Sequence, residues 1–132
     1  EGYNFSFSGL KTSFLYFLKK EIKLNPHFIE ENLHDLCASI QSKIVKILLK
    51  KLEKAAVDYN ITQVAIAGGV SANSELRNKF LQQVFANNWT AHIPKFEYCT
   101  DNAAMIGIAG SFKYEDGKFA NQSLAPSPRL DF

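Results

Sequence analysis

Ile61-Thr62-Gln63-Val64-Ala65-Ile66-Ala67-Gly68-Gly69 is the stretch on which the reading of the fold turns. It is short, apolar and rich in β-branched residues, and a glycine pair closes it. Such a run, set between helical segments, suits a parallel strand buried on both faces. On its carboxyl side, residues 71–85 read as a helix with Leu76, Phe80, Leu81 and Val84 on one side. Residues 89–93 then read as a second short strand, ended by Pro94, and residues 101–114 as a further helix rich in Ala and Gly.

On the amino side, residues 28–58 carry Leu33, Leu36, Cys37, Ile40, Ile44, Ile47 and Leu48 at spacings of three and four. That is a helix with one face turned to a core, and its apolar set shifts after Ile44, where a bend or break is expected. Residues 10–24 form another helical stretch, stopped by Asn25-Pro26 because proline disfavours helical geometry in the residue before it. The opening Tyr3-Asn4-Phe5-Ser6-Phe7-Ser8-Gly9 alternates aromatic and small polar residues, the period of a strand. The tail from Gly117, with Pro126 and Pro128, reads as extended. The alternation of helix and strand predicts an α/β domain with right-handed crossovers, helix-rich and with a short, mainly parallel sheet.

The 132 residues suffice for one domain burying about two-thirds of its extended surface, and 46% hydrophobic residues supply the core. A net charge of +2 is too small to argue for nucleic-acid binding by itself. Cys37 and Cys99 fit no zinc spacing and read as buried, reduced thiols of a cytoplasmic protein. No apolar run approaches the ~20 residues of a membrane span, so no membrane partner is expected. The chain begins at Glu1 and its single methionine is Met105, which reads as a fragment of a longer protein.

Three stretches have the residue types for chemistry. A buried strand ending in Gly68-Gly69 and running into a helix presents backbone amides at the carboxyl edge of a sheet, where ligands bind in open α/β folds. Asn73 has the groups to hydrogen-bond a ribose or a base edge, while a plain turn capped by Ser71 explains the same pattern. Tyr98-Cys99-Thr100-Asp101-Asn102 places Asp101 at a helix start, either as a metal ligand or, with Thr100, as a helix cap. In residues 5–12, Ser6 and Ser8 line a cleft with Lys11 near phosphate, or else a core strand simply meets a capped helix. His27, His34 and His92 have no metal spacing. Lys43, Lys46, Lys50 and Lys54 share a helical face that suits RNA phosphate or plain solvent.

Taken together, Phe5-Ser-Phe-Ser-Gly-Leu-Lys-Thr12, Gly68-Gly-Val-Ser-Ala-Asn-Ser-Glu-Leu-Arg77 and Cys99-Thr-Asp-Asn-Ala-Ala-Met-Ile106 closely resemble the tRNA adenosine threonylcarbamoyltransferase family, formerly called glycoproteases or O-sialoglycoprotein endopeptidases. The resemblance covers essentially the whole chain. It implies part of the second lobe of an actin-like, sugar-kinase-like and Hsp70-like ATPase fold, with residues 1–132 as a single C-terminal domain fragment and the first lobe absent. It implies transfer of a threonylcarbamoyl group from its adenylate to adenosine beside the tRNA anticodon. Gly68, Gly69 and Asn73 then belong to the pocket for ATP or threonylcarbamoyl-adenylate. Asp101 matches the family's carboxylate ligand to one divalent metal, iron or zinc.

The family's other metal ligands are a His-x-x-x-His pair that this chain does not contain. The fragment alone is therefore expected to be inactive. Asn4 stands where many relatives have an acidic residue. Expected partners are tRNA and other subunits of the modification complex, in the cytoplasm. The rival readings are a catalytically silent, nucleotide-binding scaffold of the same fold, against which Asp101 argues, and a metalloprotease, which no His-Glu-x-x-His constellation supports.

Overall fold

Two three-residue strands form the centre: β1 (Gln63–Ala65) and β2 (Thr90–His92) pair in parallel, with Val64 opposite Ala91. The computed structural model describes residues 2–125. Around the sheet run four α-helices, α1 (Ser8–Leu24), α2 (Phe28–Asp58), α3 (Ser74–Ala86) and α4 (Ala103–Glu115). One turn of 3-10 helix follows each strand, Gly69–Ala72 after β1 and Phe96–Tyr98 after β2. The helix-rich α/β class with a short parallel sheet is the one expected. The extended tail predicted around Pro126 and Pro128 lies outside the described residues.

The two helix-to-strand junctions are built alike. Asn60 ends α2 and Asn88 ends α3, each with φ of 53°. At each junction the next amide reaches back to a carbonyl of the last helical turn, Ile61 to Ala56 at 2.8 Å and Trp89 to Val84 at 2.9 Å. These are left-handed helix stops that satisfy carbonyls the helix would otherwise leave unpaired. Asparagine tolerates that geometry better than most residues.

The core sits where α2 and α3 cover one face of the sheet. Val45, Leu49 and Ala56 of α2 meet Leu76, Phe80 and Val84 of α3 across Val64, with Trp89, Ala91 and Ile93 packed against them. Leu76, Phe80 and Val84 recur every four residues, so one stripe of α3 supplies its whole buried face. Burying such side chains stabilises by about 1.5–3 kcal/mol each before entropy is counted.

Several expectations need correction. β1 is buried on one face only: Val64 points into the core while Gln63 and Ala65 are exposed, because no described element covers the other side. In α2 the core stripe is Val45, Leu49 and Ala56, whereas Leu33 is half exposed and Cys37 is exposed, so only Cys99 is a buried thiol. The break in α2 falls at Asn32, not after Ile44. There the side-chain amide donates to the Phe28 carbonyl at 2.9 Å, a local bond that competes with the helical ladder.

Residues 3–7 are not a strand, and Gly9 lies inside α1, which starts at Ser8 rather than at residue 10. The aromatic alternation instead lays rings along α2. Tyr3 packs on Tyr59 with centroids 5.3 Å apart, Phe5 stacks on Phe7 at 6.0 Å, and Lys51 lies 5.9 Å over Phe5. The Lys51 ammonium also donates to the carbonyls of Gly2 and Asn4, fixing the segment without a ladder. α4 contributes no buried residue, although it is apolar nearly all round, with Ile106, Ile108 and Phe112 exposed.

Candidate nucleotide site at the carboxyl edge of the sheet

Because the strands are parallel and Ala65 pairs with His92, both run out at the same edge. Gly68 follows β1 with φ 78° and ψ 176°, a conformation essentially restricted to glycine. Its carbonyl accepts twice from Ser71, from the amide at 2.9 Å and from the hydroxyl at 2.7 Å, and Ser71 is fully buried. Ser71 therefore closes the turn and does not cap the helix. Gly69 has an ordinary backbone, and a Cβ built there meets nothing within 4 Å. The two glycines thus differ in backbone: both leave space above the turn, but only Gly68 is needed for its geometry.

Asn73 is the cap of α3. Its oxygen accepts from the Leu76 amide at 2.9 Å and its nitrogen donates to Gln41 at 2.9 Å. Gln41 in turn donates to Glu75 at 2.6 Å. The Lys79 ammonium, at 2.6 Å, and then Gln41 hold the Glu75 carboxyl below its usual range. One N–H of Asn73 remains for a ligand, since its oxygen serves the helix.

Asp101 is exposed and makes no hydrogen bond or ion pair among the described residues. Neither Asp101 nor Thr100 caps α4. Asn102 does, accepting from the Met105 amide at 3.2 Å and donating to the Thr100 carbonyl at 2.8 Å. The Asp101 carboxylate is thereby left unengaged in the loop after β2. Among the described residues no three His, Cys, Asp or Glu side chains come together, so these residues do not fit a metal by themselves. One carboxylate is a single ligand of the three or four a transition metal takes.

Arg77 joins the two loops and carries no role in the sequence reading. It sits in the first turn of α3, where side chains slant toward the helix start. Its Nε donates to the Ser71 carbonyl at 2.5 Å, and its Nη2 to the Pro94 carbonyl at 2.9 Å and the Cys99 sulfur at 3.0 Å. The signal was an arginine one turn past a strand-to-helix junction, but Pro94 and Cys99, its partners on the second loop, lie 17 and 22 residues away in sequence.

The third stretch borders a different space. A cavity of about 630 Å³ lies between Phe5, Phe7 and Phe14, the Ile44 side of α2, and Ala67 and Val70 after β1. Lys11 and Ser71 are the polar residues of its wall, so its chemistry suits apolar matter rather than phosphate. Ser6 and Ser8 do not line it. Lys43, Lys46, Lys50 and Lys54 are exposed along α2; Lys54 pairs with Asp58 and lies 5.2 Å over the Tyr3 ring.

A family model described as tRNA N6-adenosine threonylcarbamoyltransferase (TsaD) matches residues 1–108. Curated relatives of that name include a Riemerella anatipestifer protein, 56% identical over 99% of this chain and 38% of its own length. A Cytophaga hutchinsonii protein is 54% identical over 98% of the chain and 38% of its own length. A Carboxydothermus hydrogenoformans protein is 45% identical over 98% and 37%. The chain thus spans a little over a third of the length of these relatives. With a match over most of its residues, the chain belongs to the tRNA N6-adenosine threonylcarbamoyltransferase family.

Proposed function

We propose that this chain is the nucleotide-side portion of a longer enzyme that transfers a threonylcarbamoyl group from its adenylate to adenosine next to the tRNA anticodon. The observation that carries the reading is the pair of loops at one sheet edge: the Gly68-Gly69 turn with open space above Gly69, and the loop presenting an unengaged Asp101. In the reaction the adenine amine attacks the carbamoyl carbon. A C–N bond forms, the C–O bond to phosphate breaks, AMP leaves, and the amine proton passes to solvent. For the residues in hand, the role is to hold the adenylate at the turn after β1, since positioning two large substrates supplies much of such a rate.

Iron or zinc dependence, with Asp101 as one ligand, belongs to the same proposal and requires further ligands from outside these residues. So do tRNA and companion subunits as partners and a cytoplasmic setting. Among the described residues no helix is long and apolar enough to cross a membrane.

The test compares the full-length protein with the 132-residue chain, using tRNA and threonylcarbamoyl-adenylate and reading the nucleoside mass. The full-length protein should modify the tRNA and the chain alone should not. No modification by the full-length protein, with nucleotide still bound, would instead favour the silent scaffold.

A further inference from the structure

We infer that Arg77 is a positioning residue for this transfer, the strap that sets the distance between the adenylate turn and the loop carrying Asp101. The inference rests on the function proposed above, and deepens it. The turn at Gly68–Ala72 follows β1, and the loop at Pro94–Asp101 follows β2. The last backbone bond between the two strands runs from the Ile66 amide to the His92 carbonyl at 3.1 Å, so beyond Ile66 and His92 the ladder itself no longer fixes the two loops.

Arg77 takes over there. One edge of its planar fork engages the Ser71 carbonyl, and Nη2 engages both Pro94 and Cys99. Ser71 is itself bound to Gly68 through two hydrogen bonds, and Cys99 stands two residues before Asp101. The path from Gly68 to the Asp101 loop thus runs through a single rigid group. Cys99 is 2% exposed, so the far end of the strap is anchored in the interior.

No carboxylate pairs with Arg77 among the described residues, and all its acceptors are carbonyls and a thiol on the two loops. An arginine there for stability through an ion pair would show an acidic partner. A lysine cannot reproduce the arrangement, because its ammonium has no separated, coplanar donors with which to span two loops.

The experiment uses the full-length protein with Arg77→Lys and Arg77→Ala, measuring AMP affinity by calorimetry, steady-state transfer, and mass-mapped alkylation at Cys99. A background of Cys37→Ser removes the exposed thiol. Arg77→Lys should leave the AMP Kd within about threefold. It should speed Cys99 labelling at least about tenfold and lower kcat by about 10–100-fold with KM little changed, because a misplacement near 1 Å costs on that scale. Added methylguanidinium should restore part of the turnover of Arg77→Ala.

Wild-type kcat in Arg77→Lys, or unchanged Cys99 labelling, would overturn the inference. A parallel fall in AMP binding and turnover that tracks the folded fraction, with no rescue, would make Arg77 a folding residue only and also overturn it. If wild-type protein shows no transfer, the functional reading has failed. The labelling arm then still decides whether Arg77 ties the loops.

Discussion

Replacing Gly68 and Gly69 with alanine, one at a time, separates backbone geometry from space. At Gly68 the φ of 78° and ψ of 176° lie where an L-residue is strained, yet an added Cβ meets nothing within 4 Å. The whole cost is therefore torsional, about 1–3 kcal/mol. At Gly69 the backbone is ordinary and the space is empty, so alanine costs nothing in the folded state and gains about 0.4–1 kcal/mol by restricting the unfolded chain. The gain from restricting the unfolded chain is common to both variants, so they should differ by the torsional cost alone, about 1–3 kcal/mol, or at least about fivefold in the folding equilibrium. Urea denaturation followed by circular dichroism, with both variants in one background, measures the difference directly. Equal stabilities would mean that Gly68 is free to leave the left-handed region. The turn would then not be preformed for a ligand.

Three further outcomes are expected. Gly69→Val should leave stability nearly unchanged but weaken AMP binding at least about tenfold, ~1.4 kcal/mol, since only a bound ring can meet the new side chain; unchanged calorimetric affinity would refute this. Asp101→Asn should stay within about 0.5 kcal/mol of wild type in thermal unfolding, whereas Asn102→Ala should lose about 0.5–2 kcal/mol, because Asn102 is the cap. A larger loss at Asp101 than at Asn102 would reverse that assignment. Tyr3 donates to Asp58 at 2.7 Å, and this bond pushes the phenol up from 10.0 to about 12, while Lys54 and then Tyr3 draw the Asp58 carboxyl down from 3.8. The stabilisation from Tyr3 is full below pH 10 and is lost between about pH 10 and 12, and that from Asp58 is lost as pH falls below 3.8. Ultraviolet titration should show the Tyr3 transition return toward 10 in Asp58→Asn; no movement would exclude the pairing.

The regular elements were legible because their signals are local. The stripe of Leu76, Phe80 and Val84 and the stop at Asn25-Pro26 both lie within one or two turns of chain. The alternation in residues 3–7 misled because aromatic rings laid along a helix produce the same period as a pleat, and only α2 distinguishes them. Which asparagine caps which helix could not be read from type alone: Thr100, Asp101 and Asn102 all qualify, and backbone geometry selected Asn102. β1 looked two-sided because it lies in a run dominated by apolar and β-branched residues, whereas the described residues cover one face and Gln63 lies on the other. Gly68 and Gly69 were found as a pair, but their division of labour needed dihedral angles. Arg77 escaped because its three partners span residues 71–99, a relation no spacing rule encodes.

The two matched joints at Asn60 and Asn88 lie at the amino ends of the strands, across the sheet from both chemical loops. Each holds a non-glycine residue in the left-handed region, where glycine sits at lower cost. The scaffold can therefore be toughened at one end and evolved at the other with little interference. Asn60→Gly and Asn88→Gly alter how firmly each helix hands over to its strand, while substitutions beyond Ala65 and His92 reshape what the opposite rim grips. Residues more than about 7–10 Å apart that share no partner combine nearly additively. A library that varied the two rims separately would be searching two small problems instead of one large one.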